Sequence, residues 1–344
     1  MANRMRLELY QEYPLAGEEE LATKLADYIK SVMVKRDDLT GATYRDVHAK
    51  TVAALKAELI VDGDVPPELR HGIFREPRRY PVWVRYSSTF PRPRKGAERD
   101  IRGMALKLMD VPGEKLLPEE RHAPTQDFVY LSTASFLTRN TREFYDFTVA
   151  FNSGLAPLCW FGLIHPTTAL NLLRSQKRVP NPMAPQYFSA TPYRLGELAV
   201  KHSLKPRFNG NGHLPSPPGN DAWRDVIDRQ LAHQEVTYDF LVQVQRDPYR
   251  QPIENALVPW SEALSPFHKV ATLRIPQQKV DTPERNQAGE GLSLNVWHSL
   301  PEHRPLGNVN RARKIVYTEI CKFRRERNIA PMAEPAAGPD FLET

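Results

Sequence analysis

The chain predicts an α+β fold, an antiparallel β-barrel with helices packed outside it. Three features of the sequence carry this reading. Short strand-like runs fill much of the first third and return as a pair at 235–276, a helical insert separates the two groups, and one long helix follows. Residues 17–35 read as a helix with Glu18, Glu19 and Glu20 in its first turn and Leu21, Leu25, Tyr28, Ile29 and Val32 on one face. Residues 51–61 form an apolar run that ends at Asp62-Gly63. Residues 81–89 alternate, with Val82, Val84 and Tyr86 on one side and Trp83, Arg85 and Ser87 on the other. Further short strands are expected at 103–110 and 127–133, with Pro and Gly punctuating the joins at 64–67 and 111–113. Residues 144–173 and 223–233 look helical, and a Pro/Asn/Gly-rich connection over 178–220 separates them. Strands at 235–246 and 268–276 come next, then a long loop, then a helix at about 308–327. A last segment rich in Pro, Ala and Gly reads as a loose tail or a docking arm. There is no repeat and no obvious linker. The organisation expected is an N-terminal helix and arm over 1–40, a barrel core over 41–328 and a tail over 329–344.

With 344 residues, 41% of them hydrophobic and 26% charged, the chain has ample capacity for a core, which excludes wholesale disorder. The 47 Lys and Arg against 41 Asp and Glu give a formal net charge of +6, but acids are interspersed throughout. That distribution argues against a nucleic-acid partner. Cys159 and Cys321 show no pairing signature, which suits a reducing cytoplasm, and the N-terminus has no secretory h-region. The most apolar stretch, 155–173, is broken by Pro157, His165 and Pro166 and is not expected to span a bilayer.

Chemistry enters at the terminal helix. At about 100° per residue, Arg313, Tyr317 and Arg324 fall within roughly 40° of one another, so one stripe carries a phenol between two guanidiniums. A phenol titrates near 10, and holding it as phenolate at neutral pH takes about 3 units, or about 4 kcal/mol. An adjacent, permanently charged Arg supplies stabilisation of that kind. The product is a hard anionic ligand suited to ferric iron. Taken alone, the pair also fits a surface Arg beside a half-buried Tyr. Upstream, His48 opens the first strand-like run three residues after Arg45, and Arg85 shares a strand face with Ser87. His298 and His303 match no metal motif, and His165 reads as a core histidine. Residues 303–307, with Pro305 and Gly307, should set the turn into the terminal helix.

Arg-Asp-Val-His-Ala-Lys (45–50), Pro-Val-Trp-Val-Arg-Tyr-Ser-Ser (81–88) and Arg-Asp-Ile-Arg-Gly-Met-Ala-Leu-Lys (99–107) resemble the haem catalase superfamily. The Arg313, Tyr317 and Arg324 spacing matches that family's terminal haem-site helix, so four motifs in order cover most of the chain. The resemblance implies a catalase-like haem fold binding haem b. Tyr317 would be the proximal iron ligand and Arg313 its charge partner. His48 would be the distal histidine and Ser87 its orienting hydroxyl. Arg45, Arg85 and Arg324 would hold the propionates, a bidentate task suited to Arg. Phe144 would sit near the haem, and Val47 would line its apolar distal side.

Two departures matter. In the stretch 125–137, Ser132 stands at the place of the family's distal Asn, so a shorter hydroxyl would have to serve on the distal side. The chain is also short. It resembles the minimal catalase-related hydroperoxidases, the allene oxide synthase-like branch, which lack NADPH-binding elements and long wrapping arms. NADPH is therefore not expected, and a homo-oligomer, dimer or larger, is. The resemblance implies cleavage of the O–O bond of hydrogen peroxide or of an organic hydroperoxide such as that of a fatty acid. A second reading is a haem-binding protein without significant turnover, a peroxide sensor or haem store, suggested by Ser132.

Overall fold

The computed structural model describes residues 6–37, 43, 45, 48–89, 99–208, 221–328, 334–338 and 340–342. Val47 lies outside them. In chain order the strands are β1 (Lys50–Val61), β2 (Arg79–Ser88), β3 (Arg99–Asp100), β4 (Arg102–Met109), β5 (Thr125–Leu131), β6 (Lys177–Arg178), β7 (Tyr187–Phe188), β8 (Tyr193–Leu195), β9 (Leu198–Pro206), β10 (Val236–Val244) and β11 (Phe267–Ile275). The helices are α1 (Glu18–Asp37), α2 (Thr141–Ser153), α3 (Leu155–Ile164), α4 (Pro166–Ser175), α5 (Ala222–Leu231), α6 (Pro283–Gly291) and α7 (Asn308–Asn328).

Eight strands close a barrel in the order β1-β2-β4-β5-β7-β9-β10-β11, and β11 pairs back onto β1. Every pairing is antiparallel, β8 adds onto β9, and β3 pairs with β6 apart from the barrel. The barrel is the expected one. Its interior is a packed core, not a channel: Val82, Val84 and Tyr86 of β2 meet Leu106, Tyr130, Phe240 and Leu273 there. The alternation in β2 sends Arg85 and Ser87 to the other face, where they line a cavity. In β1, Thr51 pairs with Ser87 and Ala53 with Tyr86, so Val52 is an extra bulged residue. The bulge leaves Thr51 outward while Val52 and Ala53 both join the core.

α1 packs along α7 through Leu25, Ala26, Ile29, Met33 and Val316. Arg311 of α7 ties the segment before α1 in place, reaching Glu12, Glu18 and Glu254 at 2.6–2.8 Å. The tail residues described are docked: Glu334 accepts from buried Lys107 at 2.5 Å, and Phe341 meets Trp83 edge-on at 5.3 Å.

Four expectations need correcting. The connection expected over 178–220 contains β7, β8 and the nine-residue strand β9, which closes the barrel. In β9 Lys201, His202 and Ser203 are as buried as Val200, so period-two alternation is erased. The helical stretch 144–173 is three helices, broken at Gly154 with φ 111° and at Pro166, which starts α4. The long loop after β11 holds α6, capped by Thr282, whose polar, glycine-containing sequence shows no apolar face. His165 is not a core histidine: it sits at the α3–α4 turn with Nδ1 2.9 Å from Glu143 Oε1 and is only half-buried. No helix of the described residues is long and apolar enough to cross a membrane.

Candidate active site

A cavity lies between the outer face of β2, β4 and β5 and the inner stripe of α7. From α7 it takes Val309, Ala312, Arg313, Val316, Tyr317, Ile320, Cys321 and Arg324, whose alternating steps of three and one trace one helical face. The cavity volume is about 220 Å³. Its walls are mostly apolar. Phe144 of α2 contributes, meeting Phe136 edge-on at 5.6 Å, as do Leu25 and Ile29 of α1.

On the α7 side, Arg313 donates to Tyr317 Oη from both Nε (3.1 Å) and Nη2 (2.9 Å). Its Nη1 donates to Asn310 Oδ1 at 3.1 Å and Thr191 Oγ1 at 3.4 Å, so the guanidinium is fixed from behind. Burial disfavours its charge, but the Tyr317 and Tyr193 oxygens more than offset that and hold Arg313 above the usual guanidinium range. The phenol thus faces a cation that does not titrate.

On the barrel side, His48 adopts φ 53°, a left-handed conformation uncommon for a non-glycine residue. Ser87 Oγ lies 3.3 Å from His48 Nδ1, and Arg85 Nη2 donates to the His48 carbonyl at 3.0 Å. Burial, reinforced by the charges of Arg85, Arg102 and Arg313, lowers His48 to about 3, so the imidazole is neutral near pH 7. Gly103 backs this pair. A Cβ there would lie 2.5 Å from Ser87 Oγ and 2.6 Å from His48 Nδ1.

At one edge stand Arg45, Arg85 and Arg324. Arg85 Nε is held by Thr51 Oγ1 and the Gly289 carbonyl, and Arg45 Nη2 by the carbonyls of Glu290 and Leu292. Burial, then repulsion from Arg85 and Arg324, pushes Arg45 well below the usual range. Burial, with Arg324 repulsion, lowers Arg85 to about 10. The nearby carboxylate is Glu290, at 3.6 Å from Arg45 Nη1, too far for a hydrogen bond. Arg45 Nη1 and Arg324 Nε are buried without a hydrogen-bond partner. An apolar slot, a phenol on one wall and a crowded cationic edge with unpaired donors fit an amphiphilic porphyrin carrying two carboxylates. Among the described residues no group of three or more His, Cys, Asp or Glu could hold a metal ion.

The structure therefore brings together His48, Ser87, Arg45, Arg85, Phe144, Arg313, Tyr317 and Arg324. It does not bring Ser132 to the cavity. Ser132 Oγ accepts from Arg102 N at 2.9 Å, and its own N–H donates back to the Arg102 carbonyl. From the same stretch Val129 and Leu131 line the cavity instead. Sequence reasoning missed Gly103, Thr51, the α6 carbonyls and the α1 wall. For Gly103 the signal was present, because it lies inside the motif 99–107.

No family model matches the chain, and no curated protein matches it. Solved structures do. A bacterial catalase superposes with a TM-score of 0.64 at 17% identity, covering 97% of this chain and 67% of that one. A fungal catalase superposes with a TM-score of 0.63 at 15% identity, covering 89% of this chain and 63% of that one. The fold is catalase-like: an eight-stranded antiparallel barrel with surrounding helices. The chain spans about two thirds of the length of those catalases.

Proposed function

We propose that the protein is a haem-dependent hydroperoxidase that cleaves the O–O bond of hydrogen peroxide or an organic hydroperoxide. The observation that carries this is one cavity bearing an Arg313-bonded Tyr317 on α7, a neutral, Ser87-bonded His48 on the barrel side and three crowded guanidiniums at its edge. Tyr317 Oη would ligate the iron of haem b, and Arg45, Arg85 and Arg324 would hold its propionates. When bound, the haem supplies the redox-active metal centre. The chain supplies proton control. A Ser87 bond at Nδ1 leaves His48 Nε2 to take the proton from one peroxide oxygen and return it to the other. The leaving oxygen then departs as water or an alcohol instead of an anion. Arg313 stabilises negative charge on the Tyr317 oxygen. The test is peroxide consumption by the haem-loaded protein and its His48→Ala variant. A loss of at least about 10²-fold with haem still bound is expected, and unchanged turnover removes His48 from the mechanism.

One observation favours a second reading, haem binding without significant turnover. With Ser132 engaged by Arg102, the stretch 125–137 delivers no amide side chain to the cavity. That reading requires a tyrosinate-type ferric spectrum with no consumption of hydrogen peroxide or of an organic hydroperoxide.

A further inference from the structure

The helical insert displays a surface that the cavity does not use. α3, Leu-Ala-Pro-Leu-Cys-Trp-Phe-Gly-Leu-Ile, carries no charged residue, and Phe161 is its one buried side chain. Leu155, Trp160, Leu163 and, on α4, Leu173 are each between 65% and 77% exposed. A helix apolar all round is normally buried in protein or lipid, and a contiguous exposed patch of this kind marks an interaction surface. Between Asp146 and Glu197 the sequence contains no acid. At the end of α4, Leu173 borders a shallow recess lined by Arg99, Arg174, Lys177 and Arg178. These four cations are exposed, and none has an ion pair among the described residues. The pairing of β3 with β6 places Arg99 beside Arg178 and so fixes this cluster.

We propose that the α3–α4 hairpin docks the protein on an anionic lipid surface, with the α3 side chains among the acyl chains and the β3–β6 cations on headgroup phosphates. Two ten-residue helices joined at a Pro turn are too short to span a bilayer but long enough to lie in its interface. Trp160 suits the headgroup boundary, and the exposed cations at the end of α4 match an anionic leaflet. A second copy of the chain would have to cover the apolar face while tolerating the same uncompensated cations. The surface also adjoins the cavity, because Asn171 of α4 holds the Phe136 carbonyl and Phe136 lines the cavity.

The docking claim stands independently of the haem reading and is tested without turnover. The full chain is sedimented with vesicles of phosphatidylcholine alone or mixed with phosphatidylglycerol, at low and high salt. Wild type is expected on the mixed vesicles, with retention falling as salt rises. Leu163→Asp and the pair Lys177→Glu/Arg178→Glu should each weaken retention at least about tenfold while thermal stability is unchanged. Lack of wild-type retention on either vesicle, or retention of Leu163→Asp equal to wild type, overturns the proposal. So does a wild-type oligomer that Leu163→Asp converts to monomers, which assigns the face to a second copy.

Discussion

Gly103 offers the sharpest perturbation, because the structure says what one carbon would do. Gly103 of β4 pairs directly with Ser87 of β2. The Cβ of Gly103→Ala would meet Ser87 Oγ at 2.5 Å and His48 Nδ1 at 2.6 Å, about 1 Å inside favourable contact. The strand backbone at 103 accepts alanine, so the strain falls on those two side chains. His48 is the less free to yield, with its carbonyl held by Arg85 and its φ at 53°. Ser87 should rotate, and the bond to Nδ1 is then lost. Overpacking of this size costs about 1–3 kcal/mol of stability. Misplacing a catalytic group by about 1 Å can cost about 10²-fold in rate, so turnover should fall between tenfold and a hundredfold with haem still bound. Denaturant unfolding and peroxide consumption are measured on Gly103→Ala, Ser87→Ala and the double variant. Ser87→Ala should recover stability in the Gly103→Ala background, with a coupling of about 0.5–3 kcal/mol, but should not restore turnover. Wild-type stability and turnover in Gly103→Ala, or additive effects in the double variant, would refute the reasoning.

Two other outcomes follow from the same geometry. Ser132→Ala should leave peroxide turnover within about a factor of two yet cost about 1–3 kcal/mol of stability, because the buried Arg102 N–H loses its acceptor; a large rate loss at full stability would return Ser132 to the chemistry. His48, His202 and His303 are each lowered to about 3 from 6.5, chiefly by burial. They are neutral in the fold, so their contribution is fully present above about pH 6.5 and is lost as pH falls toward 3, where the unfolded chain binds protons that the fold does not. Melting temperature should therefore drop steadily over that window while turnover shows no step near 6.5, and a turnover midpoint at 6.5 would contradict the buried, Arg-flanked environment of His48.

What the sequence could say followed from periodicity and fixed spacing. Arg313, Tyr317 and Arg324 could be placed on one face because a helix converts sequence intervals directly into angles. Arg85 and Ser87 could be placed opposite Val84 because a strand does the same with period two. β9 was hidden because its polar residues are buried against partners far away: Ser203 donates to the Tyr187 carbonyl, and Lys201 to that of Val258. Position in a motif also did not reveal direction. Ser132 was read as facing the cavity, but cross-strand pairing turns its hydroxyl to Arg102. The α1 stripe was legible as apolar, yet that it walls the cavity through Leu25 and Ile29 depends on long-range packing with α7.

The central claim rests on one oxygen. Titrating the purified protein and its Tyr317→Phe variant with hemin, followed by absorbance, tests it most directly. Wild type should bind stoichiometrically with a ferric tyrosinate spectrum, and Tyr317→Phe should lose that spectrum and bind more weakly. Identical spectra and affinities for the two proteins would contradict the account.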